Sequence, residues 1–318
     1  MAAPKLSGVL CAGNIVMDIV VRPVECLTWN TTRWVDSIEQ HLGGNGASTA
    51  YALGVLGVPV RLLGTVGRDA FGDVLLARLT GAGVDVGAVV RSELPTPTTV
   101  SLVNAQGDRF LLHRAGASRE AFAEPVEFPP DLIAGCSCFH LGNPFGLPLL
   151  RRHAAEVLRR AQAAGMTTAV DTGWDPSGRW MEDLAPSLPH TDLLFPNEDE
   201  ARCLTSLEDV AAAARRLREL GARNVIVKLG AGGCGVFTPE GSVRVAAFEV
   251  EPQDTTGAGD CFVGGFLAAL ERGLGWEEAA RFANAVAALS VQRLGATTNL
   301  RSYEETEAWM AQARQKAG

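Results

Sequence analysis

The chain alternates short runs of consecutive apolar residues with longer stretches in which apolar positions recur every three or four residues. Short runs rich in Val, Ile and Leu suit strands buried on both faces, and the longer pattern suits amphipathic helices. From about residue 45 the alternation is regular. Val58 to Leu63 precedes a helix over Phe71 to Leu79, and Cys136 to Leu141 precedes one over Leu147 to Ala164. Met166 to Val170 and Asp192 to Phe195 lead into a helix over Glu198 to Leu220. Asn224 to Leu229 is followed by a hairpin over Cys234 to Val245, then by helices near 258–272 and 276–293 and from Tyr303 to Arg314. Such an order predicts an α/β fold, a mostly parallel sheet covered by helices on both faces.

Two stretches depart from it. Residues 15–41 (Ile15 to Val21, Arg33 to His41) and 97–114 (Thr98 to Asn104, a Gln106-Gly107 turn, Arg109 to Arg114) alternate apolar and polar positions with no helix between. They predict antiparallel strands of a small second sheet, able to close over a substrate and keep water out. Trp29 and Trp34 are expected on its outer face, first as packing or dimer contacts and second as sugar-stacking groups. There are no internal repeats, so residues 1–318 read as a single domain whose lid is formed by about 15–41 and 97–114.

With 47% hydrophobic and 20% charged residues, the chain can bury a large core. A net charge of −8 and the lack of any basic run argue against nucleic acid and anionic membrane as partners. Lysine occurs only at Lys5, Lys228 and Lys316, so there is no G-x-x-x-x-G-K-[ST] loop and bound phosphate must be held by backbone, metal or arginine. Seven scattered cysteines read as free thiols of a reducing compartment. The apolar run Leu6 to Cys11 is too short for a leader, and no segment reaches the ~18 apolar residues of a membrane span. A cytoplasmic location is expected. The five histidines have no metal-ligand spacing.

The richest chemistry lies in Asp254-Thr255-Thr256-Gly257-Ala258-Gly259-Asp260, at the predicted start of a helix. A helix start offers unpaired N–H groups and about half a positive charge, and glycines let an anion approach the backbone. Asp260 beside such a cradle is placed to take a proton from a hydroxyl attacking a phosphoryl group, although a helix merely capped by Asp260 reads equally well from this segment alone. Gly43-Gly44-Asn45 also precedes a helix, where Asn45 suits a polyol; Asp18, alone in an apolar run, suits a pair of sugar hydroxyls or a solvated strand face. Asn197 and Glu200 follow a strand, an arrangement fit for magnesium held through water or for an ordinary acidic helix start. Lys228, with Gly230 and Gly233, ends another strand, either beside nucleotide phosphates or snorkelling to solvent.

In this order the motifs resemble the ribokinase-like (PfkB) carbohydrate kinases over nearly the whole chain: the early diglycine, Gly64-x-x-Gly67-x-Asp69-x-Phe71-Gly72, Asn197-x-x-Glu200, and Asp254-Thr255-x-Gly257-Ala258-Gly259-Asp260. The resemblance implies a three-layer α/β/α sandwich of about nine strands with a small β-sheet lid, and a possible homodimer through the lid. It implies ATP and Mg²⁺ as cofactors, Asp260 as the base, and Gly257, Ala258 and Gly259 as the anion hole. Asp18, Gly43, Gly44 and Asn45 take sugar-contact positions; Asn197, Glu200, Lys228, Gly230, Gly233 and Asn284 take nucleotide and magnesium positions. Asp254, Thr256, Val291 and Gly295 match the region that holds a monovalent cation in potassium-activated members. Ribokinase itself carries Asn, Lys, Asn and Glu where this chain has Val16, Asn45, Ser48 and Gly142, so ribose is not the expected substrate. Arg109 and Arg114 supply cations for a sugar acid, and Asp171 with the segment Trp174 to Trp180 is similar to fructokinase and 2-keto-3-deoxygluconate kinase members. The expected activity is ATP-dependent phosphorylation of a hydroxymethyl group on a small sugar or sugar acid. The alternatives are a nucleoside kinase of the same fold or a catalytically silent sugar-binding regulator. The first turn, Gly13-Asn14-Ile15, lacks G-x-G-x-x-G and argues against a Rossmann dehydrogenase.

Overall fold

The computed structural model describes residues 3–316. Its main sheet contains β1 (Val9–Ala12), β4 (Val60–Leu63), β6 (Val84–Asp85), β10 (Cys138–Gly142), β11 (Thr167–Asp171), β12 (Leu193–Leu194), β13 (Asn224–Lys228), β14 (Cys234–Thr238) and β15 (Gly241–Val245). These nine strands run in the order β15-β14-β13-β12-β11-β10-β1-β4-β6, parallel except for β14 and β15. Successive residues serve opposite faces. Val9, Cys11, Cys138, Ala169 and Ile226 join one core with the helices Asn45–Val55, Ala258–Glu271 and Trp276–Ser290. Leu10, Phe139, Leu141, Val170 and Val225 join the other, against the helices Leu150–Ala163, Glu198–Thr205 and Val210–Glu219. Both faces are covered, which is why the strands read as unbroken apolar runs. This is the expected α/β architecture.

Order along the sheet reverses between β10 and β1, and a crevice at the carboxyl ends of the strands on either side of such a reversal is where ligands bind. Here the helix Asn45–Val55 starts directly over the strand ends. A Cβ at Gly13 would lie 2.8 Å from Gly46 Cα and 2.9 Å from the Gly142 carbonyl oxygen, so three side-chain-free positions let the helix come this close. The same helix packs on Ala258–Glu271, where a Cβ at Gly264 would fall 2.7 Å from that of Ala52.

The two alternating stretches form one sheet of β2 (Val16–Arg22), β3 (Ser37–Gly43), β8 (Thr98–Val103) and β9 (Arg109–Arg114), in the order β3-β2-β8-β9. Strands β2 and β8 are parallel, while the two outer pairings are antiparallel. Trp29 and Trp34 lie in the loop between β2 and β3 rather than on the sheet, because the strand expected from Arg33 begins only at Ser37; both rings are almost wholly exposed. The helix expected over Glu198 to Leu220 is two helices. Ser206 ends the first in a left-handed conformation (φ 58°), and the Asp209 side chain, accepting from the Ala212 amide, caps the second. A further pair, β5 (Thr65–Gly67) with β7 (Val90–Ser92), was not expected; three residues are too few to show a period.

Candidate active site

The helix Ala258–Glu271 begins at Gly257, whose φ of 68° is the left-handed region, and no side chain caps it among the described residues. Asp260 is therefore not its cap. Its carboxylate accepts a hydrogen bond from Asn45 Nδ2 at 2.8 Å, joining positions 215 residues apart. Asn143 Nδ2 in turn donates to Asn45 Oδ1 at 3.0 Å, fixing the amide's orientation, and Thr49 Oγ1 donates to the Asp260 carbonyl at 3.3 Å. The diglycine segment and the C-terminal motif thus meet at one point, above the reversal in the sheet.

Around Asp260 lie side chains from the carboxyl ends of neighbouring parallel strands. Lys228 at the end of β13 does not snorkel. Its side chain is largely withdrawn from solvent, and its Nζ donates to Asp171 Oδ1 at the end of β11 at 2.6 Å. A Cβ at Gly259 would lie only 3.2 Å from that ammonium, so Lys228 rests on the first turn of the helix. Asn197 bridges to Lys228 in parallel register and forms a reciprocal capping box with Glu200. The Asn197 amide donates to Glu200 Oε2 at 2.9 Å and Asn197 Nδ2 to Oε1 at 2.9 Å, while Thr172 Oγ1 also reaches Oε2, at 2.7 Å. The ammonium is thus bonded to Asp171 and feels the charges of Glu200 and Asp260 as well. Burial, then the negative charge of Asp171, raises the Asp260 carboxyl well above the usual range, against the pull of Asn45 and Lys228. Burial also raises Glu200. For Lys228 burial acts downward, but Asp171 and Glu200 outweigh it and keep the ammonium charged.

A cleft of about 550 Å³ opens from this cluster. Asn197, Lys228, Gly230, Gly233 and the turn Gly257 to Asp260 line its polar end, and Phe248, Val250, Ala287, Ala288 and Val291 line an apolar end. Asn284 borders it while its Nδ2 donates to the carbonyls of Val245 and Ala246, both at 3.2 Å. Apart from Val291, which was assigned to a cation instead, sequence reasoning did not find the apolar end, whose residues have the composition of ordinary core. Nor did it single out Asn143 or Thr172, although each directly follows a strand of the main sheet, the one signal available.

The remaining candidates sit toward the small sheet. Asp18 lies on β2 against Gly43, where a Cβ would strike Asp18 Oδ2 at 2.0 Å, and burial with the facing charge of Asp254 pushes its carboxyl up to about 6. Arg114 is occupied by the Thr96 carbonyl (3.1 Å) and Thr98 Oγ1 (3.0 Å). Arg109 reaches across to Asp254 and Thr256. Asp254, Thr256, Val291 and Gly295 do come together: the Asp254 carboxylate accepts from the amides of Thr256 (2.8 Å) and Gly295 (2.9 Å), and the Val291 carbonyl accepts from Asp254 (3.2 Å).

The sequence pattern of pfkB family carbohydrate kinases matches residues 7–302. The chain belongs to this family. It is a carbohydrate kinase of the ribokinase-like group. An ATP-dependent ribose-1-phosphate kinase of Halopiger xanaduensis is 33% identical over 91% of this chain and 93% of its own length. A 2-dehydro-3-deoxygluconokinase of Thermoproteus tenax is 29% identical over 89% and 90%. The structure of Arabidopsis thaliana ribokinase complexed with ribose and ATP superposes with a TM-score of 0.81 at 26% identity, covering 98% of this chain and 99% of that one. Among these kinases the sugar differs while the fold is kept, so the acceptor must be argued from the pocket of this chain.

Proposed function

We propose that this kinase transfers the terminal phosphoryl group of ATP to a hydroxymethyl group of a small sugar or sugar acid, fructose-like or 2-keto-3-deoxygluconate-like. One observation carries the reading: the buried Asp260 carboxylate stands in the first turn of an uncapped helix and is bonded to Asn45 of the diglycine segment. The sugar lies between the small sheet and the strand ends, bordered by Asp18, Gly43, Gly44 and Asn45, with its hydroxyl toward Asp260. The nucleotide lies in the cleft, its base in the apolar end and its phosphates along Gly230, Gly233 and Lys228. As the new oxygen–phosphorus bond forms and the bond to ADP breaks, Asp260 takes the hydroxyl proton. The amides of Gly257, Ala258 and Gly259 stabilise the charge on the phosphoryl oxygens. Most of the acceleration comes from alignment, because the transition state is loose.

Magnesium, when bound, offsets phosphate charge. Among the described residues no group of three or more His, Cys, Asp or Glu side chains can hold a metal ion, and both Glu200 oxygens already accept hydrogen bonds. Asn197 and Glu200 therefore fit the ion through water and not as a direct cage. Ribose stands outside the preferred set because Gly142, where a Cβ would lie 3.1 Å from the Gly46 amide nitrogen, offers no polar side chain to read it. Phe110, Leu111 and Leu112 of β9 are more than half exposed, which supports a homodimer formed through the small sheet. The seven free cysteines support a reducing, cytoplasmic location.

The test is ATP consumption with a panel of hexoses, sugar acids, ribose and ribonucleosides, run beside Asp260→Asn. We expect turnover with a ketose or keto-deoxy acid and a fall of about 10³-fold in the variant with nucleotide affinity kept. Turnover with nucleosides alone would make it a nucleoside kinase. Sugar binding without ADP formation would make it a silent regulator, and an active Asp260→Asn enzyme would remove Asp260 from its role.

A further inference from the structure

The resemblance reserves Asp254, Thr256, Val291 and Gly295 for a monovalent cation, but the Asp254 carboxylate, the Thr256 hydroxyl and the carbonyls of Val291 and Gly295 already face protein donors. The Asp254 side chain is 5% exposed and holds three N–H groups: the Thr256 and Gly295 amides and Arg109 Nη2 at 2.6 Å. Arg109 Nη1 donates to Thr256 Oγ1. The Val291 carbonyl takes the amides of Gln253 (2.7 Å) and Asp254 (3.2 Å). Hydrogens directed at these oxygens repel a metal ion, whereas a planar guanidinium meets a carboxylate and a hydroxyl together. The positive charge that the pocket requires is present, and it is covalently part of the chain.

Its origin gives it a further property. Arg109 belongs to β9, the outer strand of the small sheet, 145 residues from Asp254. Asp254 to Thr256 leads straight into Gly257, the left-handed residue that sets the first turn of the Asp260 helix. On the same junction His41 of β3 packs on Gly295, where a Cβ would fall 2.1 Å from the imidazole Nδ1. The small sheet thus contacts the turn through Arg109 and through His41.

We propose that Arg109 is an internal counter-cation: its guanidinium holds the Asp254–Thr256 segment in place of a monovalent metal ion, and delivers that charge only when the small sheet lies over the cleft. Arg109 is a positioning residue, since it acts on the anion-binding turn through Asp254 and Thr256. The kinetic part rests on the phosphoryl-transfer reading above, and the binding part does not.

The experiment compares wild type, Arg109→Ala and Arg109→Lys across a potassium chloride titration, with tetramethylammonium chloride keeping ionic strength constant. Turnover is read with ATP and the accepted sugar, and the thermal midpoint is read on the protein alone. Wild type should respond by less than about twofold in turnover, while Arg109→Ala should lose about tenfold without potassium and regain most of it with potassium. Potassium should raise the midpoint of Arg109→Ala and leave that of wild type in place. Arg109→Lys, with the charge kept, should stay insensitive to potassium. A wild-type enzyme activated several-fold by potassium would overturn the proposal. So would an Arg109→Ala deficit that potassium does not move. If no sugar is phosphorylated, the midpoint series alone decides it, so failure of the kinase reading and failure of this one are separable.

Discussion

Replacing Gly257 by alanine adds a single methyl group and should disable the enzyme while leaving Asp260 in place. The residue has φ 68°, and holding an L-residue there costs roughly 1–2 kcal/mol. Its new Cβ would lie 2.3 Å from Ala296 Cβ, whereas carbon atoms rest at about 3.5–4 Å, so something must move by more than about 1 Å. Ala296 has little freedom to yield. It is buried, its carbonyl accepts from the Cys261 thiol at 3.2 Å, and its neighbour Gly295 is bonded to Asp254. Overpacking of this kind costs about 1–3 kcal/mol, so the total loss is about 2–5 kcal/mol, felt in the thermal midpoint without unfolding the protein. The displaced element is the turn itself, and a shift of about 1 Å in reacting geometry costs about 100-fold in kcat. Gly165→Ala is the control: its φ is +82°, but nothing lies within 4 Å, so it carries the strain without the collision. ADP release under saturating substrates and the thermal midpoint of both variants form the assay. A Gly257→Ala enzyme keeping kcat within about threefold of wild type would refute the reasoning.

Lys228→Met leaves Asp171 buried without its partner; we expect turnover to fall by about 10²-fold and the midpoint to drop, as read by kinetics and calorimetry. On the proposed mechanism, in which Asp260 works as its anion, the acid limb of the pH profile for kcat/KM should lie above the ordinary carboxylate range, because its carboxyl is raised. Glu200→Gln, which removes a neighbouring negative charge, should move that limb to lower pH, and a limb that stays put would separate the two groups. For Asp18 the folded carboxyl is raised from 3.8 to about 6, so its contribution to stability is complete below 3.8 and is lost as pH rises through about 6. Asp18→Asn should flatten the midpoint between those values and raise KM for the sugar with little change in KM for ATP. Titrating the midpoint and both KM values checks this.

The layered sheet was legible because strands buried on both faces make unbroken apolar runs and the covering helices keep their period. The small sheet was legible for a different reason: β3 alternates half-buried and exposed positions. Boundaries failed where local chemistry overrode the period, as at Ser206, where a Leu- and Ala-rich pattern continues on both sides of a left-handed break. Asp260, Asn45, Asn197, Glu200 and Lys228 were recognisable as residues, but their partners were not. Nothing in the order of residues says that Lys228 faces Asp171 or that Arg109 reaches Asp254, because both pairings depend on how strand ends and sheets are superposed. Phe248, Val250 and Ala288 could not be told from core, since an apolar cleft wall and an apolar interior have the same composition.

The bond between Asn45 and Asp260 bears on synthesis as well as on chemistry. As the chain emerges from a ribosome, the diglycine segment and all seven parallel strands of the main sheet are made before Asp260. Until the Ala258–Glu271 helix docks, the seat beneath it is an apolar groove beside Ala52, exposed to whatever else is in reach. A nascent or clipped chain ending before that helix therefore lacks Asp260 and leaves uncovered the apolar groove that Gly264 fills against Ala52.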